Sequence, residues 1–315
     1  MLRSLNLVPG EMPAPITDTP IPPVRRIVVG YSPDETGANA FRYALALASC
    51  FGAKLIAVRS IQRPAWGIVD VSYEMLAEDF LQQEKEQMEA AADKAREGHS
   101  VECTYKVAFG GPVDLLLAAV QSENADLAVL GCHGTDGLEA LLLGSVSRLV
   151  GLLCTCPVLV LPPECVHSAV TLETAKSLDA GPILFVSDVR YKDMRTAEYA
   201  KEIATHLSRD LIAMHVVPEA QGASPNSMVW EEEIAKEQLR ILLGERPGEG
   251  KALIAVRHGE PSREILAEAT RRHAALIVAG GGVHHGGIDH VPWETLTRIL
   301  RHATSPILVV PSNSK

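Results

Sequence analysis

Short unbroken runs of valine, isoleucine and leucine recur along the chain. Between them lie longer stretches whose apolar residues return every three or four positions. In the first half the runs are RRIVVGY (25–31), AKLIAVRSI (53–61), SVECTYKVA (100–108), ADLAVLG (125–131) and PVLVLP (157–162). They do not alternate with polar residues, which is the pattern of strands covered on both faces. ANAFRYALALASCFG carries an Ala/Leu stripe at helical spacing and a closing glycine. YEMLAEDFLQQEKEQMEAAADKAREG is long, amphipathic and rich in good helix formers, and its charged part is expected to be a solvated face. GPVDLLLAAVQSEN and SVSRLVGLLC are shorter helical stretches. Strand alternating with helix predicts a parallel α/β sheet.

The pattern then starts again. GPILFVSD (181–188) is followed by AEYAKEIATHL, RDLIAMHVVPEA, a long helix from about Met228 to Gly244, KALIAVRHGEPSREILAEATRRHAALIVAGGG and a closing SPILVVP. FRYALALA and AEYAKEIA, AKLIAVRSI and RDLIAMHVV, and CPVLVLP and SPILVVP occur in the same order. A repeat of roughly 150 residues is a duplicated domain rather than a solenoid unit. The predicted division is a proline-rich arm over 1–24, a first domain over 25–162, a linker over 163–180 and a second domain over 181–315.

Composition narrows the function classes. The chain has 315 residues, enough for two domains, and aromatics make up only 4%, so the cores must be built from Ala, Val, Leu and Ile. A formal net charge of -10 argues against nucleic acid and against an anionic membrane as partners. No run approaches the ~18 apolar residues of a membrane span, and the N-terminal stretch has no apolar region long enough for a signal peptide. Six cysteines without a CxxC pair are expected to be reduced thiols in a cytoplasmic protein. Cys154 and Cys156 are poorly spaced for a tetrahedral zinc site and are expected to be small, semi-buried thiols.

The candidate chemistry lies where the first half closes, in GCHGTDGLEALLLGSVSRLVGLLCTCPVLVLP (131–162). Gly131 ends a buried strand, Gly134 follows, and Gly144-Ser145 opens the next helix. Ligands of parallel sheets bind beyond the carboxyl ends of the strands, where helix N-termini offer free N–H groups. Glycines there let backbone N–H groups approach an anion; they also serve as plain turns. Ser145 adds a hydroxyl that can cap the helix or donate to a phosphate oxygen.

The spacing Gly-x2-Gly-x9-Gly-Ser after a fourth strand resembles the nucleotide signature of the universal stress protein family. RRIVVGY before a helix, FGGPVDLLLAAVQSENADLAVLGCHG and GSVSRLVGLLCTCPVLVLP resemble that family too, and the resemblance extends over two tandem copies from Arg25 to Pro311. It implies two five-stranded parallel-sheet α/β domains of the adenine nucleotide alpha hydrolase-like kind, each with strand order 3-2-1-4-5. It also implies that the last strands pair antiparallel, so that the chain forms a pseudo-dimer. Further association of two chains through the end strands or other faces stays open. By resemblance Gly131, Gly134, Gly144 and Ser145 touch the phosphates and ribose of ATP, with or without Mg2+, and Val146 adds backbone. His133 is either a phosphate contact or a solvent-facing loop residue.

The two copies depart from the family pattern in opposite ways. ATP-binding members carry an Asp after the first strand, near adenine, and often a Val at the end of the second. The first copy has Ser32 and Ser60 there, with Asp34 two residues beyond Ser32. The second has Asp188 and Val216, but Val283 stands at the second glycine and Trp293-Glu294 in place of Gly144-Ser145. The bulk of Trp and the charge of Glu both oppose phosphate, so the second copy is expected not to bind ATP. Trp66 and Trp230 are expected to pack across or near the pockets. His284, His285 and His290 are more simply solvated residues than metal ligands, and Cys132 more simply a loop thiol than a redox sensor. No GxSxG, HExxH or paired-carboxylate motif marks a catalytic centre. The expected function is a stress-response protein with a regulatory nucleotide in the first domain and a structural second domain. A non-nucleotide ligand module or interaction scaffold is the alternative, and a slow ATPase the weaker one.

Overall fold

The computed structural model describes residues 24–62, 71–96, 100–131, 150, 153–162, 181–190, 193–218, 225–245, 251–281 and 293–311. The first half runs β1 (Arg26–Gly30), α1 (Glu35–Phe51), β2 (Lys54–Ile61), α2 (Val71–Arg96), β3 (Cys103–Phe109), α3 (Pro112–Glu123), β4 (Leu127–Gly131) and β5 (Val158–Leu161). The second runs β6 (Ile183–Val186), α4 (Met194–His206), β7 (Leu211–Val217), α5 (Pro225–Leu242), β8 (Leu253–His258), α6 (Pro261–Arg272), β9 (Leu276–Gly281), α7 (Trp293–His302) and β10 (Ile307–Pro311).

The ten strands among the described residues belong to one sheet, ordered β3-β2-β1-β4-β5-β10-β9-β6-β7-β8. Each half is therefore a 3-2-1-4-5 sheet, parallel throughout, as the resemblance implies. Among the described strands the one antiparallel pairing joins the halves, with Ile307 opposite Val160, Leu308 opposite Leu159 and Val309 opposite Val158. This seam removes two exposed edges that would otherwise invite intermolecular pairing.

The strands read as continuous apolar runs because both faces of the sheet are covered. Ile27 and Val29 face a core shared with Phe41 of α1, Met88 of α2, Tyr199 of α4 and Leu239 of α5. Val28 faces the opposite core, with Leu116 of α3, Ile265 of α6 and Leu296 of α7. Each core contains residues of both halves, so burial is continuous across the seam. Among the described side chains of α2, Met88 and Ala92 are buried, four apart on one helical face, while Glu86, Asp93 and Lys94 around them are exposed. No described helix is long and apolar enough to cross a membrane.

Candidate functional site

In each half the strand order reverses between the first strand and the fourth, and the crevice beyond their carboxyl ends is the usual ligand position of such sheets. In the first half that position is the carboxyl end of β1 and β4. Tyr31 continues β1, its N–H donating to the Val58 carbonyl at 2.9 Å. The chain then turns through Ser32 and Pro33 into α1. Asp34 caps the helix, its carboxylate accepting the Gly37 N–H at 2.8 Å. The Ser32 hydroxyl donates to the other oxygen of the same carboxylate at 2.7 Å. A β-carbon at Gly37 would overlap the Ser32 backbone and hydroxyl, so glycine is what lets this turn lie on the helix.

Of the candidate residues, Ser32, Ser60 and Gly131 are described, and all stand at this end of the sheet. Ser60 is near the end of β2, where its hydroxyl donates to the Gly110 carbonyl at 2.5 Å. Gly131 is the last residue of β4, and a β-carbon there would lie 2.8 Å from Thr36 Cγ2. This glycine therefore has a packing reason of its own: the first turn of α1 presses on the strand end. His133, Gly134, Gly144, Ser145 and Val146 lie outside the described residues, as do Cys132, Val283, His284, His285, His290 and Trp66.

Two further residues lie at the same end of β1 and β2. The Tyr31 ring meets Phe41 edge to face at 6.0 Å between centroids. Burial pushes the Tyr31 phenol above its ordinary pKa, so it is a neutral hydroxyl at physiological pH. Arg59 of β2 is held by Glu84 of α2 at 2.5 Å.

The second half keeps the frame and changes the groups. Asp188 stands at the position of Ser32, and its carboxylate is gripped by Arg190, whose Nε lies 2.9 and 3.1 Å from the two oxygens and whose Nη2 also pairs with it. His215 replaces Arg59 and donates from Nδ1 to the Ser187 carbonyl at 3.0 Å. Burial lowers the His215 pKa, so the ring is neutral. Gly280 ends the described match to β4, and a β-carbon there would overlap the Asp193 carboxylate, which caps α4 through the Thr196 N–H at 3.1 Å.

A carboxylate thus sits against the strand end in the second half where a threonine methyl sits in the first. Asp193 is a site residue that reading the sequence missed. Three more residues separate it from its strand than separate Asp34 from β1, which hides the match between the two caps. Glu294, singled out for its charge, is exposed in the first turn of α7 and pairs with Arg298 at 2.9 Å.

One expectation fails. Trp230 does not pack near a pocket: it lies inside α5, with 72% of its surface exposed. The helix begins earlier than the sequence pattern suggests, at Pro225, a favourable first-turn residue.

The fold and its crevices define a tandem of two doubly wound parallel-sheet domains joined edge to edge. The model of the Universal stress protein family matches residues 23–162 and again 181–311, and the chain belongs to that family. A universal stress protein of Mycolicibacterium smegmatis is 25% identical over 298 residues, covering 90% of this chain and 96% of its own. One from Methanocaldococcus jannaschii is 29% identical over 138 residues, covering 43% of this chain and 81% of its own. Among solved structures, a universal stress protein from Archaeoglobus fulgidus superposes with a TM-score of 0.60 at 21% identity, covering 92% of this chain and 97% of its own.

Proposed function

We propose that the first half binds ATP or a related nucleotide as a regulatory ligand, with magnesium accompanying the phosphates, and that the second half serves as its structural partner. One contrast carries the reading. The strand end beneath the first crevice carries Gly131 against an uncharged threonine, and from it the sequence runs into Gly134 and Gly144-Ser145. The corresponding strand end in the second half carries the Asp193 carboxylate, which repels phosphate. The phosphate end of the ligand belongs over Gly131, with Gly134, Gly144, Ser145 and Val146 supplying N–H and hydroxyl donors and His133 beside them. Ser32 and Ser60 border the base.

Calorimetric titration of magnesium-ATP into the full chain and into a Gly134→Val/Gly144→Trp variant tests this. Binding of about one nucleotide per chain, abolished in the variant, is the expected result. No binding to the wild type at millimolar ATP would overturn it. Phosphate release in the same samples would mark slow hydrolysis in place of simple binding.

A second reading, a non-nucleotide ligand module, draws on the base end. The Ser32 hydroxyl is engaged by Asp34 and the Ser60 hydroxyl by the Gly110 carbonyl. Neither position offers adenine the carboxylate that the second half keeps at Asp188. An apolar ligand binding where ATP does not would favour this reading.

A further inference from the structure

Cys154 and Cys156 flank the turn that leads into β5, and their sulfurs lie 3.5 Å apart. Both side chains are buried, at 5% and 6% exposure, while Leu153 and Thr155 beside them are exposed. The pair is thus one residue below the surface of a turn. A disulfide bond is about 2.05 Å long, so the sulfurs need approach by only about 1.5 Å.

The two thiols are not equivalent. Either thiol can donate in the contact between them; a bond from Cys156, with the Cys156 and Thr155 N–H groups, lowers the Cys154 pKa despite burial. The same hydrogen bond, together with burial, pushes the Cys156 thiol up. When one of the two deprotonates, the hydrogen bond between the sulfurs favours the negative charge on Cys154. That is the arrangement of an attacking thiolate beside a resolving thiol.

We propose that Cys154 and Cys156 form a reversible redox site that peroxide closes to a disulfide. The Cys154 thiolate attacks one oxygen of hydrogen peroxide and the O–O bond breaks. Cys154 becomes a sulfenic acid, and the departing hydroxide takes a proton to leave as water. The Cys156 sulfur then attacks the sulfenic sulfur. The S–O bond breaks, an S–S bond forms, and the expelled hydroxide takes the Cys156 proton as a second water. Two thiols lose two electrons and one peroxide gains them. A dithiol reductant reverses the step by thiol–disulfide exchange.

The position gives the bond a consequence. The Cys154 N–H donates to the Val150 carbonyl at 2.8 Å, and Cys154 ends that short segment. Cys156 stands two residues before β5, the strand that joins the halves. A disulfide therefore fastens the end of that segment to the start of the seam. The proposal stands whether or not the first half binds nucleotide.

The test treats the full-length reduced protein with graded hydrogen peroxide, alkylates the remaining thiols and maps the peptides by mass spectrometry. The expected product is a 154–156 peptide that has lost two hydrogens, takes up no alkylating agent and regains both thiols with dithiothreitol. Cys156→Ser should stop Cys154 at a sulfenic acid that dimedone traps. Cys154→Ser should leave Cys156 alkylatable and slow its oxidation at least about tenfold. Should the wild-type peptide keep both thiols alkylatable while exposed Cys50 oxidises, or should the two cysteines pair only with other cysteines, the proposal is wrong. The wild-type map decides the matter even if a variant fails to fold.

Discussion

The hydroxyl of Ser32 donates to the carboxylate of Asp34 at 2.7 Å, and that carboxylate is the cap of α1. Ser32 is thus tied to the nearest acid in the chain, and that acid is held to the helix. Replacing Ser32 by Asp alone should set two carboxylates against each other. We expect Ser32→Asp to cost about 1 kcal/mol of stability. Ser32→Asp/Asp34→Asn keeps a good cap and should recover that loss while tightening ATP binding about tenfold, as one hydrogen bond to a charged group can. Urea denaturation and calorimetry read the two effects separately. Unchanged affinity in the double variant would remove Ser32 from the base site.

Gly37 makes the same turn possible from the helix side. Gly37→Ala places a β-carbon onto the Ser32 backbone, and the turn must lift. A loss of about 1–3 kcal/mol in chemical denaturation is expected, the range for overpacking. The same change at Gly52, where a β-carbon meets open space, clashes with nothing and tests only its left-handed φ of 65°.

Glu268, 2% exposed, pairs with Arg257 at 2.9 Å, with Arg272 at 3.2 Å and with Arg271. Burial alone would raise its carboxyl pKa, but the guanidiniums of Arg271, Arg257 and Arg272 outweigh it and hold the pKa below the ordinary value. The contribution to stability is therefore complete above the unfolded carboxylate pKa and is lost as pH falls through the lower folded one. Glu268→Gln should flatten that acid limb and cost about 1–3 kcal/mol at neutral pH. Thermal melts across the acid range measure both.

His215 gives a limb at higher pH. Its buried ring titrates below the unfolded value of about 6.5, so the unfolded chain binds the proton first. Stability is full above that value and falls as pH drops below it toward the folded pKa. His215→Asn keeps a donor for the Ser187 carbonyl and cannot charge. Its unfolding free energy should vary less than that of the wild type between about pH 7 and 5.

The seam should make the two halves unfold together. Leu308 is 3% exposed and faces Leu159 across the antiparallel pairing. Leu308→Ala should cost about 2–5 kcal/mol by the usual cavity argument. Probes placed in either half should shift by the same amount. A shift confined to the second half would show that the seam does not couple them.

The strands and most of the fold were legible in the order of residues. A strand buried on both faces must be apolar at every position, so Ile27 through Val29 and Ile307 through Val310 announce themselves, and their recurrence in order announces the duplication. The long helices were legible too, because one buried stripe, such as Met88 and Ala92, leaves a periodic mark.

The meaning of single residues in the crevices was not legible, because it depends on what folds against them. Gly131 reads as a candidate phosphate contact, and only the fold adds that Thr36 presses on it; Asp193 reads as one more loop acid until it meets Gly280. Trp230 reads as a pocket residue until its helix turns it outward. Cys154 and Cys156 show their spacing in the chain, but only the turn before β5 brings their sulfurs together in a buried place. Local pattern records which face a residue must hide; contacts between elements distant in sequence are set by how the helices dock on the sheet, and those decide which polar groups meet.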